Sequence, residues 1–304
     1  MALQASGAIS LSQIQTNFGG TNPISLSSFY RGTNSVTNNN TNVPTSGTIS
    51  LGKFYSASRR DIVYVGGLGA SYGGGGGTKT ITITGALTGG VAISPSVGDL
   101  VVLAWCVSST GNESAGLGVT TPIGWTVWGT DWNDSPSSTT STRGQDTNMA
   151  WAYKFWEAGD STVTFIVSTS TNNAAAAVIQ VYRNVRPNSG NPISGAGGTD
   201  RLHLNNASAT ITPPPLATPS WGWWGVTTVG FGNNDSSTLT APANLLNVIS
   251  VNGNDYRDAR VAIGYYPIPI PSLSLAINYQ PSNWTMATAV DRAPISATFS
   301  LRPD

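Results

Sequence analysis

The sequence predicts an all-β fold, a jelly-roll-like two-sheet β-sandwich preceded by a small repeat-containing segment. Three observations carry this expectation. Ten short apolar runs follow one another between Gly, Pro and Asn with almost no helical period, the pattern of a sandwich or barrel. STVTFIVS (161–168) alternates, with Val163, Phe165 and Val167 on one face and Thr162, Thr164, Ile166 and Ser168 on the other, as in a strand half covered by a second sheet. DLVVLAWCV (99–107) is apolar nearly throughout, as a central strand would be.

The first sixty residues state one phrase three times: Ile9-Ser10-Leu11, Ile24-Ser25-Leu26 and Ile49-Ser50-Leu51. Ile14 and Phe18 follow the first copy, Phe29 and Tyr30 the second, Phe54 and Tyr55 the third. Such a unit is too small to bury its apolar face alone and becomes stable by stacking on its fellows or on a partner. These residues are therefore expected to dock residues 1–60 onto another protein. Ser10 and Gln13 have the spacing of a capping box, and Gly19 would close the helix that follows. The alternative is that these are ordinary surface turns sharing a tripeptide.

A polar tract, SVTNNNTNVPTSG, lies between the second and third copies, and the domain boundary is placed at residue 61, after Arg59 and Arg60. The expected strands of the body, residues 61–304, cover 62–65, 78–84, 99–107, 149–156, 161–168, 176–182, 221–229, 259–266, 273–279 and 294–301. In the last, Ile295, Ala297 and Phe299 share a face, which would pair the C-terminal segment back into a sheet. Prolines at 213–215 and at 267, 269 and 271 lack an N–H to donate and belong in loops or at edges.

Composition narrows the function. Only 9% of residues are charged and the formal net charge is zero, which favours association over free diffusion. There is no basic stripe of the kind nucleic acid needs. Cys106, the single cysteine, lies inside an apolar run and reads as a buried hydrophobe, so no intrachain disulfide is expected. No stretch reaches the roughly 18 apolar residues of a membrane span. With no Lys or Arg before Arg31 and no apolar h-region, a secretory signal is not expected, and synthesis in a cytoplasm is.

The segments SGAISLSQIQTNFGGTNPISLSSFYRG and SGTISLGKFYSA resemble the N-terminal region of bacteriophage virion structural and tail-fibre-like proteins. The resemblance covers about the first fifth of the chain and implies a particle component assembled with other virion proteins. The series SVGDLVVLAWCVSS, PIGWTVWG, MAWAYKFWEAGDSTVTFIVS and AAVIQVYRNV, within 95–186, is similar to β-sandwich modules of phage tail proteins and some bacterial surface proteins. That likeness implies a fold class and a non-enzymatic role, and brings no functional residue with it.

Residue chemistry gives no sign of catalysis. His203 is the only histidine, without a G-x-S-x-G elbow or a second histidine, and reads as a strand residue. Gly73 to Gly77 before Thr78-Lys79-Thr80 imitates a phosphate loop, but Thr78 stands where that motif needs glycine and a strand follows where it needs a helix. A hairpin tip or a close contact is the better reading. The glutamates Glu113 and Glu157, and Asp131, Asp134, Asp146, Asp235, Asp255 and Asp258, form no recognisable acid–base pair. NGNDYRD (252–258) lacks the spacing of a calcium loop. No catalytic residue, metal or cofactor is assigned.

Ten tryptophans stand out, with Trp125, Trp128 and Trp132 in one polar segment and Trp221, Trp223 and Trp224 in another. Core or subunit interface is the default for such rings. If a glycan platform exists, its candidates are Trp128 and Trp132 for stacking, with Asp131 and Asp134 for the sugar hydroxyls. The expected role is a tail fibre or tail-tip component that attaches to a host-surface glycan from the virion. A capsid decoration or head-fibre protein is the alternative, and a polysaccharide-cleaving tailspike the third. Homo-oligomerisation is expected of an appendage, with a trimer the first form to test.

Overall fold

The computed structural model describes residues 3–18, 23–31, 36, 40–57, 61–73, 77–109, 122–133, 146–167, 174–185, 193–201, 209–216, 224–233, 238–253, 258–267, 283–287 and 294–303. The head begins with α1, Leu11–Phe18, whose buried face is Ile14 and Phe18. Its start is the capping box expected from the sequence: Gln13 N donates to Ser10 Oγ at 3.1 Å and Ser10 N donates to Gln13 Oε1 at 2.7 Å. The other two copies make 3-10 turns, Leu26–Phe29 and Leu51–Phe54. Ser25 (φ −132°, ψ 160°) and Ser50 (φ −135°, ψ 161°) enter them with the same extended backbone.

The body holds the sandwich, and it is doubled. The first half runs through β1 (Val63–Tyr72), β2 (Gly77–Thr82), β3 (Leu100–Ser109), β4 (Thr126–Asn133), β5 (Asp146–Phe155), β6 (Thr162–Val167) and β7 (Ala175–Arg183). The second runs through β8 (Ile193–Arg201), β9 (Ala209–Ile211), β10 (Trp224–Asn233), β11 (Thr238–Thr240), β12 (Leu246–Gly253), β13 (Asp258–Pro267), β14 (Trp284–Ala287) and β15 (Ile295–Leu301). The first large sheet has the order β1-β7-β3-β5-β4 and the second β8-β15-β10-β13-β12. With β11 set aside as an extra strand, the two orders are the same. In each half the second strand leaves for a small sheet, where β2 pairs with β6 and β9 with β14, and β11 extends the latter. First strand beside last, then third, with the second strand on another sheet, is a jelly-roll-like path. All the described strand ladders are antiparallel.

Register makes the equivalence residue by residue. Leu100 pairs with Phe155 and Tyr182, and Trp224 pairs with Pro267 and Leu301. Leu100 thus corresponds to Trp224, Phe155 to Pro267 and Tyr182 to Leu301. The same turn precedes β4 and β12, where Trp125 N donates to Pro122 O (3.2 Å) and Leu245 N to Pro242 O (3.1 Å). The large sheets meet face to face, with β1 over β12 and β4 over β8. These two contacts are each other's counterparts under the equivalence, as a two-fold relation between the halves requires.

Four layers result. Between the large sheets lies a core of Leu100, Val102, Met149, Trp151, Val178, Val226, Val261, Ile263, Ala297 and Phe299. The pair β2-β6 covers the outer face of the first sheet through Ile81, Val163 and Phe165 against Leu103, Trp105 and Ile179. The sheet β9-β14-β11 covers the second through Ile211, Trp284 and Met286 against Val229 and Phe231. Strands inside the stack are buried on both faces, which is why β3 reads as one apolar run. β6 has a partner layer on one side only and keeps its alternation, with Val163, Phe165 and Val167 buried.

Several expectations require adjustment. β1 pairs with β7 and β2 with β6, so the glycine run joins two sheets and closes no hairpin. β4, β8, β9, β11, β12 and β14 are strands that the apolar pattern did not mark. The run at 273–279, Gly19 and His203 lie outside the described residues. Pro213 to Pro215 lie outside the strands and Pro267 ends β13.

Candidate functional sites in head and body

The residues expected to dock the head are packed on each other. Ile14, Phe29 and Phe54 occupy the same place, three residues after the leucine of each copy, and all three are fully buried. With Ile9, Phe18, Val36, Val43 and Ala57 they form one core that contains no body residue. The Phe54 ring lies 6.1 Å from Phe18 and 6.4 Å from Phe29. Leu11, Ile24, Leu26, Ile49, Leu51 and Tyr55 pack around this core and stay half-exposed, as does Tyr30.

The copies grip one another by a repeated rule. Tyr30 donates its hydroxyl to the Gly47 carbonyl of the third copy, and Tyr55 donates to the Gly7 carbonyl of the first. Arg31 N bonds Pro44 O at 2.9 Å and Ser56 N bonds Gln4 O at 3.1 Å. Each donor follows its tyrosine by one residue, and each acceptor precedes its glycine by three. Both glycines have left-handed backbone, φ +96° at Gly7 and +81° at Gly47, which glycine adopts at little cost. The second copy therefore holds the third as the third holds the first, which links the copies in the order second, third, first. Residues 1–60 carry Arg31, Lys53, Arg59 and Arg60 and no carboxylate side chain, while the body carries ten basic and fourteen acidic side chains.

In the body, Trp128 is the extra residue of a β-bulge between Val127 and Gly129. Its half-buried ring lies 5.9 Å from Trp151 and 5.0 Å from Phe299 of the opposite sheet. Asp131, opposite Met149 in the ladder, is 6% exposed. Trp132 is in β4, its side chain outside the described residues, as is Asp134 altogether. The described half of the glycan quartet thus sits in the packing between the sheets.

Two polar features were not legible in the sequence. One ties the halves together: Trp151 Nε1 donates to Thr228 Oγ1 (2.7 Å), Gly232 N to Thr147 Oγ1 (2.7 Å) and Gln180 Nε2 to Asn247 O (2.8 Å). Beside it Tyr64, Tyr182, Tyr265 and Trp224 cluster, with Trp224 stacked on Tyr265 at 4.4 Å. Burial pushes the three phenols up, so they remain protonated; Tyr182 donates to Gln180 Oε1, and Tyr265 accepts from Asn247 Nδ2 at 2.8 Å. The other lies on the outer face of the second sheet. Thr227, Ser296 and Thr298 are fully buried there and their hydroxyl oxygens have no partner, nor has Trp284 Nε1 in the covering strand. Each such group costs about 1–3 kcal/mol while unsatisfied.

Burial raises the Cys106 thiol, away from nucleophilic use. Among the described residues no three His, Cys, Asp or Glu gather into a metal site. No helix of the described residues is long and apolar enough to cross a membrane. Compared with known proteins, the chain matches no family model, no curated protein and no solved structure, so its function rests on its own residues.

Proposed function

We propose that the chain is a bacteriophage virion structural protein, a tail fibre or tail-tip component whose head joins the particle and whose body contributes to host-surface glycan attachment. The observation that carries this reading is the head. Its three copies share one core of their own, and its side-chain charge is entirely basic while the body is acidic in balance. A compact cationic unit at one end of a weakly charged β body suits attachment to an acidic protein surface, which would weaken with salt. The resemblance of the repeat to tail-fibre-like proteins points the same way.

Packing of Trp128 and Asp131 between the sheets favours a second reading, a capsid decoration or head-fibre protein with a mechanical role. Immunogold labelling of intact particles with antibody to residues 61–304 separates the two. Label at the tail is expected; label over the capsid selects the second reading, and shortened polysaccharide on incubation with the protein selects a tailspike. Deleting residues 1–58 is expected to leave a folded, soluble body that no longer joins particles. An unfolded product would move the boundary.

A further inference from the structure

The chain passes from head to body once, and the head's core contains no body residue. A pull on the head therefore enters the body through Asp61 and β1. Val63 pairs with Arg183 at the near end of the body, and Tyr72 pairs with Ala175, itself opposite Val107, at the far end. β1 thus runs away from the head along the length of the sheet, and it is held on three sides. Nine of its residues pair with β7. On its other edge Gly67 and Thr88 exchange both backbone hydrogen bonds, at 3.0 and 2.9 Å, and Ala92 N donates to Val65 O at 3.0 Å. Toward the second sheet, Gly67 and Gly69 leave notches that β12 fills. A Cβ at Gly67 would fall 2.2 Å from Ile249 Cδ1, and one at Gly69 would fall 1.9 Å from Val251 Cγ2. The path of the chain does not require this fit. At the equivalent places of the second half, Thr199 stands for Gly69 and Asp131 for Val251.

We propose that β1 is a tension-bearing clamp, which locks the body against a pull applied through the head along the strand axis. Hydrogen bonds of a ladder loaded along its strands share the load and must break together, whereas a ladder loaded across its strands opens one pair at a time. A pull on the head loads β1 in the first way, because it enters beside Val63 and meets the whole ladder lengthwise. The notches add a stop. Residues two apart share a face of a strand, so drawing β1 two residues toward the head brings Ser71 to the place of Gly69 and its Cβ into the space that Val251 fills. A slip of one residue is opposed as well, since it turns Leu68 and Ala70 away from the outer core they pack against. Such a strand suits a body joined to a particle by one crossing and loaded at its far end. The inference rests on the head being the attached end, but its test uses the purified chain apart from any particle, so failure of the clamp leaves the virion reading to the immunogold result.

The test is single-molecule pulling of the full chain, held at Met1 and at one of two cysteine handles; Cys106 is fully buried and takes none. Ile166→Cys places the handle at the far end, on an exposed residue of β6 next to Val167, which pairs with Gly77. Asp304→Cys places it at the near end, beside Pro303, which bridges Val185. The head lies in both pulling paths, so its own unfolding is common to them. Rupture of the body, which reports the barrier to forced unfolding, is expected at a higher force with the far handle than with the near one. Val251→Ala, which removes the side chain from the notch, is expected to reduce that difference. Should this variant fail to fold, Thr88→Ala takes its place with the same expectation, because Thr88 Oγ1 donates to Gly67 O at 3.1 Å on the free edge of β1. Equal rupture forces in the two geometries overturn the proposal. A difference that the folded variant leaves intact overturns it too, since β1 would then not be the element that bears the load.

Discussion

Gly69 shows how little room separates the two halves of the body. A Cβ built there would lie 1.9 Å from Val251 Cγ2 but 3.4 Å from Val251 Cβ. Gly69→Ala is therefore expected to cost about 1–3 kcal/mol in urea unfolding. Adding Val251→Ala should recover part of that loss, since an alanine there leaves an ordinary contact; strict additivity would mean that β1 and β12 are not in contact. Lys154 and Asp160, 2.9 Å apart, supply a pH test. Burial acts to raise the Asp160 carboxyl, but the Glu157 N–H and the Lys154 ammonium outweigh it and hold the carboxyl below its ordinary value. A depressed carboxyl contributes stability above the unfolded value of about 3.9, lost as pH falls through the folded one. Asp160→Asn should lower stability by under about 1 kcal/mol at pH 7, the pair being partly exposed. The difference should vanish in acid; a loss that persists below the folded value would assign the effect to packing.

At the scale of elements, the head and β3 show two ways of anchoring a short segment. The repeat's aromatic pair divides its labour: Phe29 and Phe54 fill the core while Tyr30 and Tyr55 reach across to the next copy's glycine turn. Tyr30→Phe and Tyr55→Phe should each cost about 0.5–1.5 kcal/mol of head stability. Near-equal losses of hydrogen-exchange protection in residues 3–57 would support the equivalence of the two links, and a loss from one substitution alone would break it. Asp99, before β3, receives Arg183 Nε and a second guanidinium N–H, both at 2.8 Å, which ties the strand's entry to the end of β7. The capping box of Ser10 and Gln13 and the alternation of β6 were legible because both are local: spacing alone fixes which atoms meet. β9, β11 and β14 span only three or four residues, too short to display a period. β8 is glycine-rich, so no apolar run marks it.

For the whole molecule, doubling has a consequence for folding. The inner face of each large sheet is the other's solvent shield, and Leu100, Val102, Met149 and Trp151 of the first half meet Val226, Val261 and Phe299 of the second. Residues 61–185 expressed alone should therefore dimerise or aggregate, because the exposed sheet would carry an apolar patch beyond what monomers tolerate. A monomeric, soluble half by size-exclusion chromatography would show that the interface between the sheets is dispensable. Between the two halves the outer face also differs in chemistry, Leu103, Ala177, Ile179 and Val181 of the first standing where Thr227, Ser296, Thr298 and Ser300 stand in the second.

The sequence by itself determined the all-β class, the repeat, the capping box, the central strand at Leu100–Val107 and the faces of β6. Each follows from period, turn residues or spacing over a few positions. Only the tertiary structure decided that there are four layers, that Trp128 packs against Phe299, and that Thr227 stands where Leu103 stands in the other half. The physical reason is that strand order and layer contact join residues more than a hundred positions apart. Once Leu103 and Ile179 have become Thr227 and Thr298, the halves no longer share a visible pattern, while the hydrogen-bonded ladders that define their path remain the same.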